Sequence, residues 1–270
     1  MKNKMTAFPY LIWMAVFIII PLVLVVYFTF ASEDGGFTLD NIVKISQYTP
    51  IFIKSINLAI IATLICFVLA YPIAYILSRS TEHYQRTMIL LIMLPMWMNF
   101  LLRTYGWMTL LENEGLINKF LSIFHIGPFQ MINTAGAVVL GMVYNYLPFM
   151  ILPLYSVMTK IDYSMIEAAQ DLGCNPVKVI LKVLMPLSLP GIITGVTMVF
   201  VPSVSTFIIS RMLGGGQNML IGDLIEQQFI GSTYNPYVGS AMSLILMVIM
   251  LIIMGIMSSF DDDEMEGIVI

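Results

Sequence analysis

Apolar positions in this chain come in long unbroken runs, not in the alternating or 3.6-residue stripes of a fold that keeps one face in water. No Asp, Glu, Lys or Arg interrupts Met5–Ser32, Ser55–Ser78, Ile126–Thr159, Val183–Ser210 or Gln227–Phe260, and a shorter run, Thr87–Leu102, resumes after Arg103. A helix rises about 1.5 Å per residue, so roughly 20 apolar residues cross a hydrocarbon layer about 30 Å thick. The pattern therefore predicts an all-α membrane protein with six transmembrane helices. One lies within the first run, and five more span about 55–78, 87–111, 134–158, 187–210 and 238–259. Between the last two, "RMLGGGQNMLIGDLIEQQF" predicts a Gly turn and a short amphipathic helix along the outer membrane face. The loop before the second span carries a weaker helical pattern at Leu39, Ile42, Val43 and Ile45.

Composition agrees with this reading. The chain of 270 residues is 59% hydrophobic and 10% charged, against about 25% charged in soluble domains. The first run is too long for the apolar core of a signal peptide and no small-x-small site closes it, so it reads as an uncleaved span. Cys66 falls inside a span and Cys174 in a polar segment, which is no disulfide framework. Much of the net charge of -4 resides in a tail at 261–270, "DDDEMEGIVI", read as a solvated end. Lys2, Lys4, Arg79, Arg86, Lys160, Lys178 and Lys182 fall on one side of the spans. Lys44, Lys54, Lys119, Arg211 and Arg103 fall on or near the other. The positive-inside rule then puts both termini in the cytoplasm. The chain divides into 1–54 (first span and outer loop), a five-span unit at 55–260 and the tail at 261–270.

One polar stretch, "EAAQDLGCNP" at 167–176, stands between two uncharged runs on the expected cytoplasmic side. Ser164 and Glu167 have the spacing of a capping box, Ala168, Ala169 and Gln170 favour helix, and Gly173 suits a left-handed corner. Asn175 can cap a second helix with Pro176 in its first turn, running to Pro186. A helix, a sharp corner and another helix make a rigid knob suited to a groove on another protein.

"EAAQDLGCNPVKVILKVLMP" resembles the EAA loop of ABC-importer membrane subunits, E-A-A-x3-G-x9-I-x-L-P, with Glu167, Ala168, Ala169, Gly173 and Pro186 in place and Val183 and Met185 as apolar departures. "LPMWMNFLLRTYGWMTLL" (94–111) and "FIISRMLGGGQNMLIGDLIEQQF" (207–229) extend the likeness over nearly the whole chain, to the PotB-type permeases of spermidine/putrescine importers. That resemblance implies the type I ABC importer permease fold, with 160–186 as the coupling loop, in a bacterial cytoplasmic membrane. It implies a second, C-type permease as heterodimer partner, a pair of ATPase subunits, an extracytoplasmic substrate-binding protein and no nucleic acid. ATP and Mg would be used by the ATPase, and no cofactor would be bound by this chain.

The residues themselves leave the substrate open between a polyamine and another small solute, such as an amino acid, thiamine or iron. Seven acids on the outer loops (Glu33, Asp34, Asp40, Glu112, Glu114, Asp223 and Glu226) suit a cation, with Asp223 and Glu226 the expected contacts to it or to the binding protein. Asn99, Arg103, Tyr105, Asn145 and Tyr146 are candidates for the translocation path, since an amide deep in a span requires a partner or a wet cavity. Trp97, Trp107 and Tyr144 suit interface anchoring. Pro72, Pro95, Pro148, Pro153, Pro190 and Pro202 each remove a helix hydrogen bond and are candidate kinks or hinges.

Other classes fit less well. No phosphate-binding G-x-x-x-x-G-K-[ST] occurs, and His83 and His125 fall in loops on opposite sides. An ion-coupled carrier usually places ionisable groups near mid-membrane, and the runs offer none apart from Arg103 near an end. An intramembrane enzyme would need a nucleophile or metal constellation at depth.

Overall fold

The computed structural model describes residues 8–32, 35–231 and 233–267, without the side chains of 260–267. Lys2, Lys4, Glu33, Asp34 and the acidic side chains of the tail lie outside the described residues. In chain order the helices are α1 (Phe8–Phe30, with a π turn at Ala15–Ile19), α2 (Asp40–Ile45), α3 (Thr49–Ser78), α4 (Glu82–Met93), α5 (Phe100–Leu111), α6 (Leu116–Ile123) and α7 (Ala135–Met158). They continue with α8 (Tyr163–Asp171), α9 (Pro176–Leu187, again with a π turn), α10 (Leu189–Ser205), α11 (Ile208–Gly214), α12 (Ile221–Phe229) and α13 (Pro236–Gly267). No named strand occurs among the described residues, which hold one isolated bridge between Ala31 and Phe37. Among the described residues, four helices can cross a membrane by length and composition, or up to six if two bent pairs each count as one span.

The core is a three-helix packing of α3, α7 and α10. On α3, Ala62, Cys66, Ala70 and Ala74 recur every fourth residue and are fully buried. They form the stripe of small side chains that lets membrane helices approach when lipid offers no hydrophobic driving force. On α10 the pattern is Gly191-x3-Gly195, where an added Cβ would stand 3.0 Å from the Pro153 carbonyl oxygen and 2.7 Å from the Met150 sulfur of α7. Neither small-residue stripe requires a charge or a turn, so both are inconspicuous within an apolar run. Helix α1 leans on α13, with Phe28 edge-on to Tyr237 at 5.7 Å, and most of its surface is exposed.

The chain bends sharply at two places. The expected third span breaks by 88° between Trp97 and Phe100, and a bend of 76° at Ser188 falls where the second knob helix joins the fifth span. Pro95 lies in a single 3-10 turn before the first break and Pro190 in the first turn after the second. A ring without an N–H costs least at such positions. Pro72, Pro148, Pro153 and Pro202 remain inside helices. Asn99 corrects an expectation. It is exposed at the break, where its side-chain oxygen accepts from the Leu101 N–H at 2.8 Å, so it is an N-cap and not an amide deep in an unbroken span. The short helix expected after the Gly turn is present as α12. On α12, Ile221, Gly222, Asp223, Leu224 and Gln228 are buried, packed against α3, α10 and α13.

Candidate functional site: an exposed knob and a buried polar cluster

Helices α8 and α9 form the knob. Gly173, at φ +80°, follows α8, where the Cys174 N–H donates to the Ala169 carbonyl at 3.1 Å and the Gly173 N–H to the Gln170 carbonyl at 2.8 Å. This pair of bonds is a Schellman ending, and glycine suits its left-handed residue. The Asn175 side-chain oxygen accepts from the Lys178 N–H at 2.8 Å, with Pro176 opening α9. The capping box expected of Ser164 and Glu167 is absent: the N-cap is Asp162, whose carboxylate accepts from the Ser164 N–H at 3.0 Å. Asp162 has the extended backbone of a cap, and its charge suits the positive end of the helix. The Ser164 N–H and hydroxyl, and less strongly the Arg79 guanidinium, hold the Asp162 carboxyl below its ordinary range.

Ile166, Ala169, Val179 and Leu184 give the knob a small core of its own, with Tyr75, Ile161 and Cys174 packed beside it. Glu167, Ala168, Asn175, Pro176 and Pro186 are exposed, as are Met165 and Val177, and Leu172 is 86% exposed. The arrangement is a stiff element that presents apolar and acidic groups outward, which is what protein docking requires.

Arg79, which sequence reasoning used only as a charge, joins the knob to the bundle. Its guanidinium donates to the Ile161 carbonyl at 3.1 Å and the Met158 carbonyl at 3.5 Å. It also lies over the rings of Tyr75 and Tyr163, at 5.9 and 5.7 Å. Carbonyls that end a helix lack intrahelical partners, and a cation there satisfies them. The available signal was an arginine closing a long apolar helix.

The proposed path residues separate into two groups. Tyr105 is exposed on α5, and Arg103 stacks over Phe100 at 5.9 Å with a buried, unpartnered Nε. Asn145 and Tyr146 are buried on α7. Asn145 donates from Nδ2 to the Gly141 carbonyl at 2.9 Å while its Oδ1 has no partner, and the Tyr146 hydroxyl donates to the Pro202 carbonyl at 3.4 Å. Trp107 and Tyr144 link α5 to α7 edge-on at 5.3 Å.

At the far end from the knob, Asp223 is 3% exposed and accepts from the Leu220 N–H at 2.8 Å. Burial raises its carboxyl above the ordinary range, opposed by the Ser210 hydroxyl, the Leu220 N–H and the Arg211 charge. Glu226 pairs with Arg211, whose Nη1 donates to Oε1 at 3.0 Å. Asp223 is thus buried, whereas Glu226 stays partly exposed in its pair with the exposed Arg211. Among the described residues, no group of three or more His, Cys, Asp or Glu could hold a metal ion.

The profile of the family described as binding-protein-dependent transport system inner membrane component matches residues 35–263. The chain is 37% identical over 248 residues to the spermidine/putrescine transport system permease protein PotB of Haemophilus influenzae, covering 88% of this chain and 86% of that one. With PotB of Escherichia coli the identity is 35% over 248 residues, covering 88% and 90%. Among solved structures, a bacterial ABC transporter involved in the import of the acidic polysaccharide alginate superposes with a TM-score of 0.79 at 15% identity, covering 94% of this chain and 93% of that chain.

Proposed function

As the chain belongs to the family of binding-protein-dependent transport system inner membrane components and has the type I ABC importer permease fold, we propose that it carries spermidine or putrescine across the cytoplasmic membrane by alternating access. In this reading the knob is the coupling element. A separate ATPase pair grips it and hydrolyses ATP with Mg, this chain contributes no catalytic group, and a second permease completes the pore. An extracytoplasmic binding protein delivers the polyamine. The knob lies in the cytoplasm, and both termini with it.

The observation that carries coupling is the knob itself: an exposed corner held by a Schellman ending and two side-chain caps, at the EAA spacing. Polyamine rests on the likeness to the PotB permeases across most of both chains. Asn145 and Tyr146 are the best candidates for the path, because a buried amide oxygen without a partner is costly unless it meets water or a solute donor. The test is to purify the permease from its own host with bound subunits, reconstitute the complex in vesicles and measure ATP-dependent uptake of labelled spermidine. Retention of an ATPase with spermidine uptake supports the reading. Retention with uptake of an amino acid, thiamine or iron instead refutes the substrate, and a complex without an ATPase refutes the coupling.

A further inference from the structure

Helix α3 presents one stripe to three successive parts of the knob assembly. Tyr71, Tyr75 and Arg79 are four residues apart and so lie on one face. The Tyr71 hydroxyl is 3.2 Å from the hydroxyl of Ser188, the fully buried corner where the chain turns by 76° from α9 into α10. Tyr75 packs both against the main core and against the small core of the knob. Arg79 binds the Met158 and Ile161 carbonyls where α7 ends and lies over Tyr163, the first residue of α8. Entry, body and exit of the knob therefore each touch the same face of a helix that is not its neighbour in the chain.

We propose that this stripe is a transmission element: Tyr71, Tyr75 and Arg79 are positioning residues that convert displacement of the knob into movement of α3. The inference rests on the reading of the knob as the coupling element. The peptide chain alone would pass the displacement only to α7 and α10. With the stripe, α3 moves with them, and α3 and α7 are the most extensively packed pair among the described residues. Arg79 suits this role because its planar fork serves two carbonyls while its faces stack on aromatic rings, which an ammonium cannot do. None of the three lies on the exposed partner-facing surface of α8, so their loss should spare ATPase docking.

The test uses the complete reconstituted complex with labelled spermidine, or the solute that the wild type carries if that differs. Arg79→Gln removes the charge, and Tyr71→Phe removes one hydroxyl while keeping the ring. Each is expected to retain the ATPase subunit and its basal hydrolysis while solute moved per ATP falls about threefold to tenfold, the range that coupling residues command. Arg79→Lys should lie between wild type and Arg79→Gln. The double variant should lose less than the product of the two single losses, as residues of one connected element do. An unchanged ratio in both single variants at wild-type abundance overturns the proposal, and so does a loss that simply follows ATPase dissociation. If Arg79→Gln fails to insert, Tyr71→Phe decides by the same ratio. A wild type that retains no ATPase refutes the coupling reading itself, which separates that failure from failure of the stripe.

Discussion

The knob at α8–α9 and the hairpin at α11–α12 are built from similar parts. Each is a short helix, a left-handed glycine turn and a second helix. Gly173 has φ +80° in one, and Gly215 and Gly216 have φ +58° and +70° in the other. Their environments are opposite. The turn of the knob is open, with nothing within 4 Å of a Cβ added at Gly173. Its caps come from within its own stretch, at Asp162 and Asn175. The hairpin is held by partners distant in sequence: the Ile221 N–H donates to the Ser55 hydroxyl at 2.8 Å, Lys54 to the Asn218 side-chain oxygen at 2.8 Å and the Asn133 N–H to the Leu213 carbonyl at 2.9 Å. An element stabilised locally can leave its surface free for another protein. One stabilised by the bundle uses that surface up.

The sharpest way to break the comparison is to place the same residue at a glycine in each. At Gly222 an added Cβ would lie 2.5 Å from the Ser205 carbonyl oxygen and 2.6 Å from that of Thr206, which are backbone atoms that cannot swing aside. Gly222→Val is expected to cost about 3 kcal/mol or more, read as lost membrane abundance and a lower melting midpoint in detergent. Wild-type abundance would show that the hairpin is not packed as described.

Gly173→Val should act differently, because the obstacle is conformational. A β-branched residue at that positive φ costs about 1–2 kcal/mol and re-aims α8. Abundance and permease pairing are expected to hold while ATPase retention and substrate-stimulated hydrolysis drop. Wild-type values of both would remove the knob from the coupling mechanism.

A smaller effect separates buried acids from displayed ones. Charge displayed on the outer face would make the loss of uptake in an Asp223→Asn, Glu226→Gln double variant shrink as ionic strength rises, because salt screens the steering that the wild type owes to those acids. Burial of Asp223 and the Arg211 pairing of Glu226 predict instead a loss of about 1 kcal/mol in stability, with the salt dependence of uptake unchanged. Comparing uptake in low and high salt, alongside a melting curve, distinguishes the two.

The smallest effect is a difference in sign with pH. Asp162 has a lowered folded pKa, so its contribution is present above the unfolded value and lost as pH falls through the folded one. Asp223 has a raised folded pKa, so its contribution is present below the unfolded value and lost as pH rises through the folded one. Acidification should therefore speed hydrogen exchange at Ser164–Ile166, relative to the intrinsic rate, and slow it at Leu220–Asp223. Parallel trends in the two segments would contradict the assigned environments.

Much of the knob was legible in the sequence because its determinants are local. Gly173, Asn175 and Pro176 act on neighbours within a few residues, and the EAA spacing includes Gly173. Ser164 and Asp162 both have cap chemistry, and only the backbone conformation selects Asp162. The apolar runs likewise determined the membrane class and approximate spans, because transfer from water to hydrocarbon depends on composition and not on partners. What the tertiary structure alone decided is where polar groups go once lipid excludes water. The bend at Ser188, the seating of α12 with its buried Asp223 and the clasp of Arg79 depend on groups up to 166 positions apart in the chain. Apolar side chains specify little direction of their own, so hydrogen bonds and close glycine contacts between distant segments set the arrangement.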